Sequence, residues 1–354
     1  METRLVLFSG FALNIALFLP LAVRGSEYTT IVCPDTESSE ATGINASEQI
    51  VGYCGKGPVK GFVRLPNGVL TTFTAPHATY ETIALDINDS GAVTGFYAKS
   101  GDTGEHGFIR SAEGGISDFD VPGSTSTFPA SINSQGVIVG TYYIGTAVQG
   151  FMRDALGNFT TIMVPGSTYT QPTGVNTSGE VTGFEEDATG AHGFVQDVQG
   201  NITIFDVPGS DPEPTNGAQR GTVVEAINSS GEVTGWWSDA GNIRHGFTMD
   251  AQGNFFTFDA QGVGSYPYNG TQAVSINDSG EVAGSAINSD EHSFGFTQSG
   301  SNVPVNFYGP VGGPNDGYGP EVAKINVNGK IVGSYTDSYG HGRGFFRDVL
   351  PPSN

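Results

Sequence analysis

Tyr28-Thr29-Thr30-Ile31-Val32-Cys33-Pro34, followed by Ala41-Thr42-Gly43-Ile44-Asn45, recurs almost position for position inside the chain. The second copy reads Phe159-Thr160-Thr161-Ile162-Met163-Val164-Pro165, then Pro172-Thr173-Gly174-Val175-Asn176. In the interior this segment closes one repeat and opens the next. At the front it precedes every other repeat, so its strand-like half has no preceding partner. The opposite end supplies one. The last repeat stops at Phe345 to Val349, lacking the strand that should follow.

Working outward, an aliphatic–Asn pair recurs at Asn45, Asn88, Asn133, Asn176, Asn228, Asn277 and Asn326, spaced by 43, 45, 43, 52, 49 and 49 residues. Runs such as Asn88-Asp89-Ser90-Gly91 suit a type I turn. Asn at the first position bonds backbone two residues on, and Gly at the last tolerates positive φ. The turn joins strands termed A and B. Strand C opens with Gly-Phe, from Gly61-Phe62 to Gly344-Phe345, and a second Gly turn leads into strand D. Strand D often ends in Pro-Gly, where the missing donor stops pairing.

Four short antiparallel strands, repeated seven times with no sustained helical period, predict an all-β fold: a seven-bladed β-propeller with four-stranded antiparallel blades. A β-solenoid also stacks repeats. It has no use for a detached leading strand, whereas a ring is zipped shut by one joining the last blade. Cys33 ends that strand and Cys54 follows strand B of the first blade, so a Cys33–Cys54 disulfide is expected, worth about 3 kcal/mol by loop entropy. Two buried free thiols are the alternative.

The 354 residues include 53 Gly and carry a net charge of −22, with 14 Lys and Arg against 36 Asp and Glu. That field disfavours nucleic acid and anionic lipid. Arg4, the apolar stretch Leu5–Ala22, and Gly25-Ser26 predict a secretory signal peptide over residues 1–25 rather than a membrane anchor. The propeller then occupies 26–350 and a tail 351–354. The expected product is secreted and extracellular, a monomer with no membrane insertion after signal removal.

The tripeptides His106-Gly107-Phe108, His192-Gly193-Phe194 and His245-Gly246-Phe247, with the recurrent Ile-Asn-x-x-Gly-x-aliphatic-x-Gly, resemble the HAF family of extracellular repeats. The resemblance covers Tyr28 to Val349. Gly replaces the family's Ala, and Lys60, Gln149, Phe294 and Arg343 stand where His is expected. The resemblance implies extracellular location and a propeller-like fold, and no established reaction.

In this topology the A–B and C–D turns share one face, and the B–C and D–A connections share the other. The longest D–A connections, Gly209–Val224, Ala260–Ala273 and Gly309–Val322, carry Tyr266, Tyr268 and Tyr318. Aromatics on such loops stack on sugars or peptide side chains, or else pack their own loops. His106, His192, His245, His292 and His341 lie near the start of strand C. Recurring in step with the repeat, they read as structural, bonded to Asp102, Asp187, Asp239, Asp290 and Asp337. Equivalent histidines are too far apart around a ring to share one metal, so no metal is expected. Acid–Gly loops such as Asp102-Thr103-Gly104-Glu105 leave Ca²⁺ as a weak option beside plain solvated turns. Of the doublet Trp236-Trp237, alternation sends one inward and leaves Trp237 as a stacking candidate. The reading is a non-enzymatic binding or scaffold module for an extracellular glycan or protein, with Trp237, Tyr266, Tyr268, Tyr318 and His245 as contacts. The alternative is a propeller enzyme, a polysaccharide lyase or hydrolase. It would use His245 as base, Tyr266 or Tyr268 as proton donor, and Arg244 to neutralise a carboxylate.

Overall fold

A computed structural model describes residues 28–34, 36, 38–211, 221–309 and 319–348. The expected signal segment, the tail and Tyr318 lie outside the described residues. Among those described there is no helix, and the strands fall into consecutive antiparallel sets of four, two pairs of sets being joined by single parallel pairings, Val148 with Tyr169 and Arg244 with Gly270. The first set is Ser39–Ile44, Ile50–Cys54, Lys60–Arg64 and Leu70–Phe73. The second is Glu81–Ile87, Val93–Ala98, Glu105–Arg110 and Ile116–Phe119. The fourth is Tyr169–Val175, Val181–Glu186, Ala191–Gln196 and Ile202–Phe205. The fifth is Thr222–Ile227, Val233–Ser238, Arg244–Met249 and Phe255–Phe258. The last set comprises Glu321–Ile325, Ile331–Thr336 and Gly342–Arg347, with Tyr28–Ile31 as its outer strand. Tyr28 pairs with Arg347 and Ile31 with Gly344.

The recurrent Asn explains the A–B turn and more. Asn88 accepts from Ser90 N at 3.1 Å and Ala92 N at 2.9 Å, and Gly91 takes φ 81°. In the first set the turn's Gly is replaced by Glu48, which adopts φ 60°. The Asn amide meanwhile crosses to the neighbouring set. Asn45 donates to Asn88 O, Asn88 to Asn133 O, and Asn133 to Asn176 O. Asn176 donates to Asn228 O, Asn228 to Asn277 O, and Asn277 to Asn326 O. Asn326 donates to Asn45 O at 3.0 Å. These side chains are 3 to 5% exposed, so each amide resolves two buried backbone needs at once.

Every Phe of the Gly-Phe pairs is fully buried, from Phe62 to Phe345. Each contributes roughly 2–3 kcal/mol of apolar burial. The Gly beside it has its own reason. A Cβ on Gly246 would stand 2.5 Å from the Phe258 ring, and one on Gly107 2.6 Å from Phe119. Strand D lays an aromatic on strand C's backbone, and Ala at that position no longer fits.

Cys33 and Cys54 form a disulfide with Cα atoms 6.2 Å apart. It ties the outer strand of the last set to the first set, as expected from the sequence.

Candidate binding face

Strand alternation in the fifth set builds two different clusters from neighbouring residues. Trp236 is buried and donates through Nε1 to Glu225 Oε1 at 3.0 Å. The Arg244 guanidinium lies 4.6 Å over the Trp236 ring. Glu225 is the extra residue of a bulge between Val224 and Ala226, and burial raises its pKa. On the opposite face Trp237 stacks on His245 at 4.4 Å, and a Cβ added at Gly209 would come within 3.6 Å of the Trp237 ring. Trp237 is half-buried and packs on the imidazole of its own sheet. Arg244 and His245, adjacent in sequence, leave the strand on opposite faces, so the base and the cation of the enzymatic alternative do not converge.

The histidines are held by pairs of aspartates. His106 Nδ1 meets Asp120 at 2.9 Å and its Nε2 meets Asp102 at 3.1 Å. His192 Nδ1 meets Asp206 at 2.9 Å. His245 Nδ1 meets Asp259 at 2.9 Å, with Asp239 3.6 Å from Nε2. The Asp259 hydrogen bond raises the pKa of His245, against a smaller opposing effect of burial. The closer partner in each case is the Asp that ends strand D, fourteen residues on, which sequence reasoning missed. The signal was present. Where His gives way to Gln149 or Phe294, the residue fourteen further on is Met163 or Tyr308. His and Asp thus come and go together between repeats of one chain. In the last set Asp337 accepts from His341 N at 2.9 Å and from Arg343 Nε at 2.8 Å.

The exposed aromatics lie elsewhere. Tyr266 and Tyr268 are 61% and 44% exposed on the connection between Phe258 and Gly270. Tyr268 takes φ 72°, and its N–H donates to Asn242 O at 2.7 Å. The next strand, Gly270–Ile276, opens the sixth set at Gly270, before the sequence-expected end of that connection at Ala273. Tyr80, Tyr308 and Tyr339 are also exposed. All five occupy D–A or B–C connections and so crowd one face. Large exposed side chains in the opposite turns, Leu65, Leu156, Val198, Val303 and Val327, are aliphatic.

Two cavities are lined by the first strands of the sets and their turn ends. One of about 300 Å³ is lined by the Ile-Asn ends, and one of about 210 Å³ contains Asp86, Glu225 and Lys324. Lys324 Nζ pairs with Asp86 Oδ1, whose second oxygen accepts from Ser131 Oγ and Ile132 N. This non-repeating charged group was not anticipated, because Asp86 and Lys324 share a repeat position that elsewhere holds Gly, Ala or Ser, and Glu225 one that elsewhere holds no charge. A larger cavity of about 660 Å³ flanks the disulfide beside Lys56 and Lys60.

Four-stranded antiparallel sheets, with short turns on one side and elaborated loops on the other, define a β-propeller protein. No family model matches the chain, and no curated protein matches it. Among solved structures it is similar to virginiamycin B lyase from Staphylococcus aureus, at 11% identity over 91% of this chain and 99% of that one, with a TM-score of 0.59. It is also similar to a streptogramin B lyase, at 13% identity over 90% and 97% with a TM-score of 0.57. The β-propeller domain of the Trilobed protease from Pyrococcus furiosus matches at 10% identity over 89% and 97%, TM-score 0.56. At such identities the likeness establishes the fold alone.

Proposed function

We propose that this chain is a secreted, seven-bladed HAF-type propeller that binds an extracellular glycan through its long-loop face. Closure of the ring is supported by Tyr28–Ile31 completing the last sheet and by the Asn amides passing from set to set and back to Asn45. Export is supported by the disulfide, which persists in oxidising compartments. No helix among the described residues is long and apolar enough to cross a membrane.

The observation that carries the function is the gathering of exposed tyrosines on one face, with none among the large exposed residues of the opposite turns. A tyrosine offers an apolar ring and a polar tip, which suits the mixed faces of a sugar. The net charge of −22 directs the choice toward neutral or basic glycans. A glycan array probed with the protein and with a Tyr266→Ala/Tyr268→Ala variant tests this. Binding of a glycan class that falls at least tenfold in the variant supports the reading. Equal binding by both proteins, or capture only by protein ligands, overturns it.

A further inference from the structure

The fourth set departs from the repeat at one position. The strand-B residue facing the histidine of strand C is Tyr97 opposite His106 and Trp237 opposite His245, and both rings lie against the imidazole. Opposite His192 it is Glu185. A carboxylate thus stands in an aromatic's place, 3% exposed, and its Oε2 is buried without a hydrogen-bond partner. Burying such an oxygen is costly unless something compensates it.

The surroundings supply the rest of a ligand set. One ligand atom each from Glu185, Asp187 and His192 lie within 4.8 Å of one another. His192 Nδ1 is engaged by both Asp206 oxygens, at 2.9 and 3.0 Å, which turns Nε2 toward the cluster. A carboxylate holding the far nitrogen of a histidine is the usual support for a metal-binding imidazole. Nε2 and Asp187 Oδ1 are 3.5 Å apart. Two ligands each about 2.1 Å from a tetrahedral ion stand roughly 3.4 Å apart. Thr189 Oγ1 donates to Asp187 Oδ1 at 2.6 Å and lies 2.8 Å from Nε2, linking the two ligand candidates. In the second set the position matching Asp187 is Lys99, whose ammonium sits 3.0 Å from Asp102 and neutralises that bracket internally.

We propose that Glu185, Asp187 and His192 bind a divalent transition ion of the Zn²⁺ type, with Asp206 orienting the imidazole. One nitrogen and two carboxylate oxygens suit Zn²⁺ better than Ca²⁺, which takes six to eight oxygens. Burial raises the Glu185 pKa, and a bound cation reverses that effect.

The test is titration of chelator-treated full-length protein with Zn²⁺ and with Co²⁺ as a chromophoric substitute. Four proteins are compared: wild type, Glu185→Gln, Glu185→Tyr and His106→Gln. Glu185→Tyr restores the aromatic that the second set carries and so guards against simple misfolding. The expected result is one tight equivalent with visible Co²⁺ absorption in wild type and His106→Gln, weakened at least tenfold in both Glu185 variants. Weak, multiple binding that is unchanged by either Glu185 variant would show adventitious surface carboxylates only and overturn the proposal. Equal loss in His106→Gln would overturn it too.

Discussion

Asn326→Ala probes the ring more sharply than removal of any core residue. The Asn326 side chain donates to Asn45 O at 3.0 Å and accepts from Asn328 N at 3.0 Å and Lys330 N at 2.9 Å. At about 1 kcal/mol net per hydrogen bond, loss of all three costs about 3 kcal/mol. Asn133 makes the same three bonds within the chain's interior, to Asn176 O and from Gln135 N and Val137 N. A closed ring makes the two positions equivalent, so Asn326→Ala and Asn133→Ala lose the same amount. In an open array Asn326 lacks its inter-set bond and loses only about 2 kcal/mol. With an unfolding entropy of about 2.1 cal/mol/K per residue over about 320 residues, 3 kcal/mol lowers Tm by roughly 4–5 °C. Differential scanning calorimetry and urea unfolding read both variants. Asn158→Ala is the control, since its exposed amide bonds only to Asp154, and it should cost under about 1 kcal/mol. A terminal variant reproducibly milder than the interior one refutes the reasoning, as does a control that costs as much as either.

Replacing Cys33 and Cys54 together by Ser should lower stability by about 3 kcal/mol, seen as a Tm drop near 5 °C by calorimetry. Gly246→Ala should cost about 1–3 kcal/mol by forcing the Phe258 ring aside, while alanine at the open turn residue Gly253 is strained only by its φ of 83°. Urea unfolding of the Gly246 variant, with Phe258→Leu as a second-site rescue, checks the cause. His245 has a folded pKa above its unfolded value, so its pairing stabilises the protein fully below about pH 6.5, and that stability is lost as pH rises through the folded pKa. Asp259→Asn should lower the His245 midpoint in an NMR titration and flatten stability across that window. An unchanged midpoint would assign the shift elsewhere.

What was legible in the sequence was whatever recurred. Tyr28–Ile31 could be matched to Phe159–Ile162 because both obey the same alternation, and the pairing of Tyr28 with Arg347 follows from that match. The turn role of the Asn residues was legible, since an Asx bond is local. Their cross-set amide bonds were not, because the acceptor lies 43 residues or more away in sequence. The candidate site reads the other way. Glu185, Asp86, Glu225 and Lys324 matter by breaking the pattern, and a pattern-based reading discounts them as loop or strand variation. The stacking of Trp237 was not legible because alternation says only which side of a strand a ring leaves. It does not say that His245 waits there to stack on it.

Ring closure is tested most directly by cross-linking its two ends. Thr29 and Phe346 are directly opposed in the pairing of the first strand with the last. Air oxidation of a Thr29→Cys/Phe346→Cys variant, followed by thiol titration and peptide mapping, should find no free thiol and a 29–346 link beside the native 33–54 one. Two reactive thiols in the folded protein, or links only between separate molecules, would contradict the account.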